Sequence, residues 1–138
     1  MLKNKQVVFL GISLICVLID QISKFFANRF INLNEKIDIL SNFISFEKTY
    51  NTGAAFSILQ DSIVLLSLIS LTTLLLIFSF IFKPSSKLND GGIIGLSFVA
   101  GGAIGNLIDR LFLGYVIDFI QLEFITFPIF NFADIFFI

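Results

Sequence analysis

The chain has 138 residues, enough for one domain. It is 57% hydrophobic and 14% charged, with a mean hydropathy of +0.97, which excludes an ordinary soluble domain. A net charge of −1 without a basic block excludes a nucleic-acid partner, and the absence of histidine excludes Ser-His and Cys-His nucleophilic pairs and the usual zinc sites.

No metal or cofactor is expected, so any acid–base chemistry falls to Asp, Glu, Lys, Tyr or Arg-assisted water. The lone cysteine, Cys16, rules out a disulfide framework within the chain. Residues 1–6 are polar and carry Lys3 and Lys5. Residues 7–26 then form the first predicted span, since ~20 apolar residues at ~1.5 Å each cross the ~30 Å hydrocarbon core. The run is too long for a cleaved signal peptide, and no good small-residue cleavage site follows it. Near its far end Asp20 and Lys24 are four apart, share a helix face, and read as a structural ion pair.

Residues 29–61 are the one extended stretch with many polar groups. KIDIL and FISFEKTY alternate apolar and polar residues, which predicts short strands at the membrane surface with Ile37, Ile39, Phe43 and Phe46 inward. Asn-Thr-Gly at 51–53 reads as a turn. AAFSIL after it reads as a short apolar helix or re-entrant piece at the interface.

Residues 63–82 are a second span without charge, and KPSSK at 83–87 is a short hydrophilic turn. Residues 91–112 form the third. Gly91 and Gly95, like Gly101 and Gly105, have the small-xxx-small spacing that lets helix backbones approach closely. Gly102, Asn106 and Asp109 continue that face into a polar one. Residues 113–127 read as a return loop, with Tyr115 beside Gly114 marking the helix end at the interface. Pro128 is placed to begin a fourth helix, on which Asn131 and Asp134 share a face. That helix would reach only ~16 Å by Ile138, about half a bilayer core, so the sequence is expected to be truncated there. The predicted fold is an all-α polytopic membrane protein in a single domain. Its four transmembrane helices occupy residues 7–26, 63–82, 91–112 and 128–138, with a β-containing extracytoplasmic segment at 27–62.

Lysines concentrate in the N-terminal segment and the 83–90 turn, and the 113–127 loop has no basic residue. The positive-inside tendency places both chain ends in the cytoplasm. Asn51, Arg110, Asp118 and Asp134 then fall together on the outer side. Asp118 in YVIDFI and Asp134 in FNFADIF would lie near the outer ends of spans three and four. Carboxylates among large apolar residues lose hydration, and two placed close together tend to share one proton. Such a pair can activate water, and it can equally be a hydrogen-bonded link between helices. Asp109 and Arg110 are adjacent and point apart on a helix. Arg110 therefore reaches a loop carbonyl, another carboxylate or a lipid headgroup. Asn51, Asn106 and Asn131 also read as interhelical glue. The 19 phenylalanines read as packing and lipid contact, with no cofactor role.

DQISK at 20–24, NTGAAF at 51–56, GNLIDR at 105–110, VIDF at 116–119 and FNFAD at 130–134 occur in order at fitting distances. In these motifs the chain resembles lipoprotein signal peptidase (signal peptidase II), a family of bacterial intramembrane aspartic proteases. The resemblance runs from about residue 7 to the end. Presenilin-like and prepilin-peptidase families fit less well, because no GxGD motif is present. The resemblance implies that Asp118 and Asp134 are catalytic and that Asn51, Gly53, Asn106, Arg110 and Asn131 contact substrate. Asp20, Lys24 and Asp109 are left as structural polar groups. It further implies a monomer in the bacterial cell (inner) membrane, surrounded by membrane lipids, cleaving diacylglyceryl-prolipoproteins before the lipidated cysteine. The competing class is a small transporter or proton-relay protein with midplane carboxylates. It predicts an internal repeat and a polar path across the membrane, and neither is visible. A membrane scaffold would leave Asp118 and Asp134 without a purpose. Single cysteines at positions Lys36 and Lys87, in a Cys16→Ser background, should label from opposite sides of the membrane. Labelling from one side contradicts the topology.

Overall fold

The computed structural model describes residues 4–53, 59–83 and 88–138. Residues 54–58 of the AAFSIL segment and 84–87 of the KPSSK turn therefore lie outside the described residues. Among those described, three helices are long and apolar enough to cross a membrane: α1 (Lys5–Phe30), α2 (Ile63–Ile81) and α3 (Asp90–Phe112). The first runs past its predicted end at residue 26, because nothing in KFFANRF breaks a helix before the extended residue Ile31.

α1 and α3 run parallel and in register. The Ser13 hydroxyl donates to the Ser97 carbonyl at 3.0 Å, Cys16 sits against Gly101 and Asp20 against Gly105, and Lys24 pairs with Asp109 at 2.9 Å. α2 runs back antiparallel to them and packs mainly on α3, and at one end Phe9 of α1 meets Phe78 and Phe82 edge-on at 5.3 and 6.5 Å. One core cluster, Phe9 with Leu74, Ile77, Ile81, Ile93, Ala100 and Ala103, fills this end of the bundle. The outward faces of α1 and α2 are leucine, isoleucine, valine and phenylalanine left exposed, the surface that lipid solvates.

Glycine spacing proves selective. Gly101, Gly102 and Gly105 each sit where an added Cβ would collide, with Cys16, the Ala133 carbonyl and Asp20 respectively. Gly95 faces open space, and a Cβ on Gly91 would meet nothing closer than 3.8 Å. The predicted Gly91/Gly95 packing pair is therefore not used.

At the end where α1 and α3 finish lies a three-stranded antiparallel sheet in the order β1 (Lys36–Leu40), β2 (Ile44–Asn51), β3 (Val116–Leu122). The first two strands fall where alternation predicted them. Ile37 and Phe46 face the core as expected, packed near Ala27, Ile31, Ile117, Phe119 and Ile120. Ile39 and Phe43 are exposed instead. The register of β1 slips between Asp38 and Leu40, which reverses which side Ile39 presents. Phe43 closes the turn, its ring 6.1 Å from Phe124.

The third strand corrects the predicted return loop at 113–127. VIDFI is buried at every position and so shows no alternation to read as a strand. Gly114, at φ +80°, turns the chain from α3 into it. The predicted start of the fourth helix at Pro128 is also corrected. Residues 128–131 are extended, because Phe130 exchanges backbone hydrogen bonds with Ile120 (3.0 and 2.8 Å), and α4 is only Phe132–Ile135. The molecule is thus a helical membrane protein whose sheet builds one end. Replacing Gly102 or Gly105 with alanine should lower thermal stability by about 1–3 kcal/mol through overpacking. Gly95→Ala should leave the melting temperature in detergent unchanged or higher, and a uniform response of all three would contradict the selective packing.

Candidate active site

The site is assembled where α1, α3, β3 and α4 meet. Sheet register places Asp118 of β3 opposite Thr49, and Asn51 at the end of β2 opposite Val116. The Asn51 amide Nδ2 donates to Asp118 Oδ2 at 2.9 Å. From the other side Asn131 Nδ2 donates to Asp118 Oδ1 at 2.6 Å. Asn131 is also the N-cap of α4 in a reciprocal capping box, its Oδ1 accepting from Asp134 N and its own N–H donating to Asp134 Oδ2, both at 3.1 Å. A four-residue helix too short to stand alone is thereby fixed, and the fixing group is the Asp134 carboxyl itself. Asn106 Nδ2 supplies Asp134 Oδ1 with a further donor at 3.0 Å.

The two aspartates predicted as a pair are therefore brought together, but not at the ends of two helices as expected. Asp118 comes from a strand. It is 2% exposed, and burial, followed by the nearby charge of Asp134, pushes its pKa up to about 7 against the two asparagine hydrogen bonds.

Behind the pair lies a charged layer. Lys24, 2% exposed, forms ion pairs with Asp20 at 2.8 Å and Asp109 at 2.9 Å and donates to Asn106 Oδ1 at 2.9 Å. Asp20 accepts the Ala133 amide at 3.0 Å, and Asp109 accepts the Ile117 amide at 3.2 Å. Each acid thus ties a site-bearing element, α4 or β3, to the bundle. Gln21, singled out for nothing in the sequence, donates to Asp20, Asp109 and the Gly105 carbonyl at 3.0–3.2 Å. The available signal was a third polar group beside Asp20 in an apolar span. Arg110 points away from Asp109 and donates to the Gly53 carbonyl at 3.4 Å, one of its expected partners. Gly53 in turn donates its N–H to Asn51 Oδ1 at 2.8 Å.

In front of the carboxyls opens a cleft of about 800 Å³, with Asn51, Arg110, Asp118 and Asp134 on one wall and Leu122, Ile125, Phe127 and Phe137 among its apolar residues. Asn106 also borders it, although its amide atoms are taken up by Lys24, Asn131 and Asp134.

Fold and site define a multi-pass membrane enzyme with two carboxyl groups held by amides at the mouth of a mostly apolar cleft. Residues 12–138 match the family model described as Signal peptidase (SPase) II, and the chain belongs to that family of proteases. It is 40% identical over 134 residues to the lipoprotein signal peptidase of Lactobacillus johnsonii, covering 97% of this chain and 86% of that one. It is 41% identical over 128 residues to that of Enterococcus faecalis, covering 93% and 79%. A solved structure described as a bacterial membrane enzyme superposes with a TM-score of 0.88 at 28% identity, over 94% of this chain and 80% of that one. A second, also described as a bacterial membrane enzyme, gives 0.84 at 28% identity, over 94% and 84%.

The asparagine clamp has a measurable consequence. A hydrogen bond to a charged group contributes about 1.5–3 kcal/mol, and one pKa unit corresponds to about 1.4 kcal/mol. Asn51→Leu removes a donor that favours ionised Asp118, so its titration midpoint should rise by about one to two units when followed by infrared spectroscopy. An unchanged or lowered midpoint contradicts the clamp.

Proposed function

We propose that this chain is an aspartic endopeptidase that removes signal peptides from diacylglyceryl-modified prolipoproteins, cutting before the lipidated cysteine. The observation that carries this reading is the amide-clamped pair Asp118 and Asp134 at the mouth of an apolar cleft, in a chain of the signal peptidase II family. Relatives in two genera bear the name lipoprotein signal peptidase. Asp118, with its pKa raised to about 7, holds the proton of the resting pair. Asp134, held by the Asn106 and Asn131 donors, acts as the base.

In the first step water oxygen bonds to the scissile carbonyl carbon while Asp134 takes the water proton and Asp118 gives its proton to the carbonyl oxygen. In the second the C–N bond breaks, the leaving nitrogen takes the proton from Asp134, and the hydroxyl proton returns to Asp118. No covalent intermediate, metal or cofactor enters this scheme. Arg110 and the Gly53 carbonyl line the path of the substrate backbone. Asn51, Asn106 and Asn131 hold the carboxyls, so their contribution to substrate binding is made through that geometry. The apolar cleft residues receive acyl chains, whose burial contributes roughly 0.8 kcal/mol per CH₂. The site faces the extracytoplasmic side of the bacterial cell (inner) membrane, by the lysine distribution, and the enzyme acts as a monomer.

A diacylated prolipoprotein incubated with the purified protein should yield two fragments, the larger beginning at the lipidated cysteine by mass analysis. The same substrate with that cysteine changed to serine should not be cut, and equal cleavage of both would show a general membrane protease. Asp118→Asn and Asp134→Asn should each reduce turnover at least a hundredfold or so, the scale of general acid–base catalysis. As pH rises through about 7 Asp118 loses its proton and cannot protonate the carbonyl, so the parent rate should fall on the alkaline side. A rate that climbs steadily from pH 6 to pH 9 would remove Asp118 from the acid role.

A further inference from the structure

Lys24 carries more than the structural ion pair it was read as. Its ammonium has three N–H donors, and three acceptors surround it: Asp20 at 2.8 Å, Asp109 at 2.9 Å and Asn106 Oδ1 at 2.9 Å. Two of these neutralise the buried cation. The third is an amide oxygen, which a neutral pairing scheme has no need of.

Asn106 has one accepting end and one donating end. Its oxygen receives Lys24 and also Asn131 Nδ2 at 3.1 Å, and its nitrogen faces Asp134 Oδ1 at 3.0 Å. Turning the amide over would set NH₂ against an ammonium and a carbonyl oxygen against a carboxylate, two unfavourable contacts at once. We propose that Lys24 is a positioning residue for the carboxyl pair: by donating to Asn106 Oδ1 it fixes which way that amide faces and so aims its N–H at Asp134. The same oxygen helps seat Asn131, whose Nδ2 reaches Asp118 Oδ1 at 2.6 Å. One ammonium thereby orders donors to both carboxyls. Lys24 touches neither of them and, being 2% exposed, touches no substrate.

The inference rests on the peptidase reading for its activity test only. Lys24→Met alone would leave two buried acids without their cation, a loss of the kind that costs about 3–5 kcal/mol and prevents folding. The comparison therefore uses two neutral clusters, Lys24→Gln and Lys24→Met, each combined with Asp20→Asn and Asp109→Asn. Both remove the same three charges. The remaining charged groups near the pair, Arg110 of α3, Asp118 of β3 and Asp134 of α4, are identical in the two. At position 24 only the glutamine version keeps an N–H donor for Asn106.

With melting temperatures matched to within a few degrees, the methionine cluster should show kcat lower by about tenfold or more than the glutamine cluster, the usual scale for losing an orienting partner. KM should stay within about twofold. Asn131, seated on the same Asn106 oxygen, loses its aim at Asp118, so the alkaline limb of the pH profile should move to higher pH in the methionine cluster. The infrared titration of the buried carboxyls should move the same way. Equal kcat with coincident pH limbs and titrations would reduce Lys24 to a structural ion pair. The infrared titration is independent of turnover: if the parent cleaves no prolipoprotein, the peptidase reading falls while the titration still decides the positioning role.

Discussion

The structure hangs on a buried cation. Lys24 sits between α1 and α3 with Asp20 and Asp109 on either side, and a charge so placed is tolerated only where its partners are fixed. That requirement runs through the fold. α1 and α3 must lie parallel and close, which is why Gly101 and Gly105 face Cys16 and Asp20 with no room for a side chain. The acids that neutralise Lys24 have further lone pairs to satisfy. They take the backbone amides of Ala133 and Ile117, which come from the two elements that carry the catalytic candidates. Charge burial and site construction are one arrangement.

The front of that arrangement is built from amides. Asparagine side chains contribute donors without adding charge, so three of them can crowd two carboxyls without adding repulsion or forming the ion pairs that would keep both acids ionised. The two carboxyls are nonetheless treated differently. Asp118 receives only side-chain amides, and burial dominates its titration. Asp134 receives a backbone N–H as well as an amide, at the start of a helix whose cap it completes. Unequal surroundings of this kind are what the proposed division into acid and base requires of two chemically identical groups.

Much of this was legible in the sequence, for identifiable reasons. The spans were visible because uncharged runs such as residues 63–82 have no soluble explanation. β1 and β2 were visible because KIDIL and FISFEKTY alternate. Asp118, Asp134, Asn51, Asn106, Arg110 and Asn131 stood out as polar residues in apolar settings and through the motifs that resemble signal peptidase II; the structure places the first five around one cleft and buries Asn131 against Asp118. β3 was invisible because VIDFI is buried on both faces, which erases the period that marks a strand. The late start of α4 was hidden by Pro128, a good first-turn residue that here sits in an extended run. Lys24 was recognised as paired with Asp20, but its reach to Asn106 and Asp109 crosses more than eighty positions, and no local spacing records that.

The sheet explains why a helical membrane protein needs strands at its active end. The two carboxyls must approach each other although α3 ends at Phe112 and α4 begins at Phe132. Two helix ends could supply such a pair, but each would then be placed only by side-chain packing. A strand is placed by its backbone. β3 is paired along one edge to β2 and bridged through Ile120 to Phe130 on the other, so Asp118 and the approach to Asn131 share a hydrogen-bonded frame. The register slip in β2 between Phe46 and Thr49 lets the strand keep Phe46 in the core and still deliver Asn51 beside Asp118. A bulge is a common means of re-aiming a side chain next to a functional site. Here the aimed side chain is the asparagine that holds the aspartate, and the bulge that aims it, between Phe46 and Thr49, ends two residues before Asn51, at the edge of the cleft.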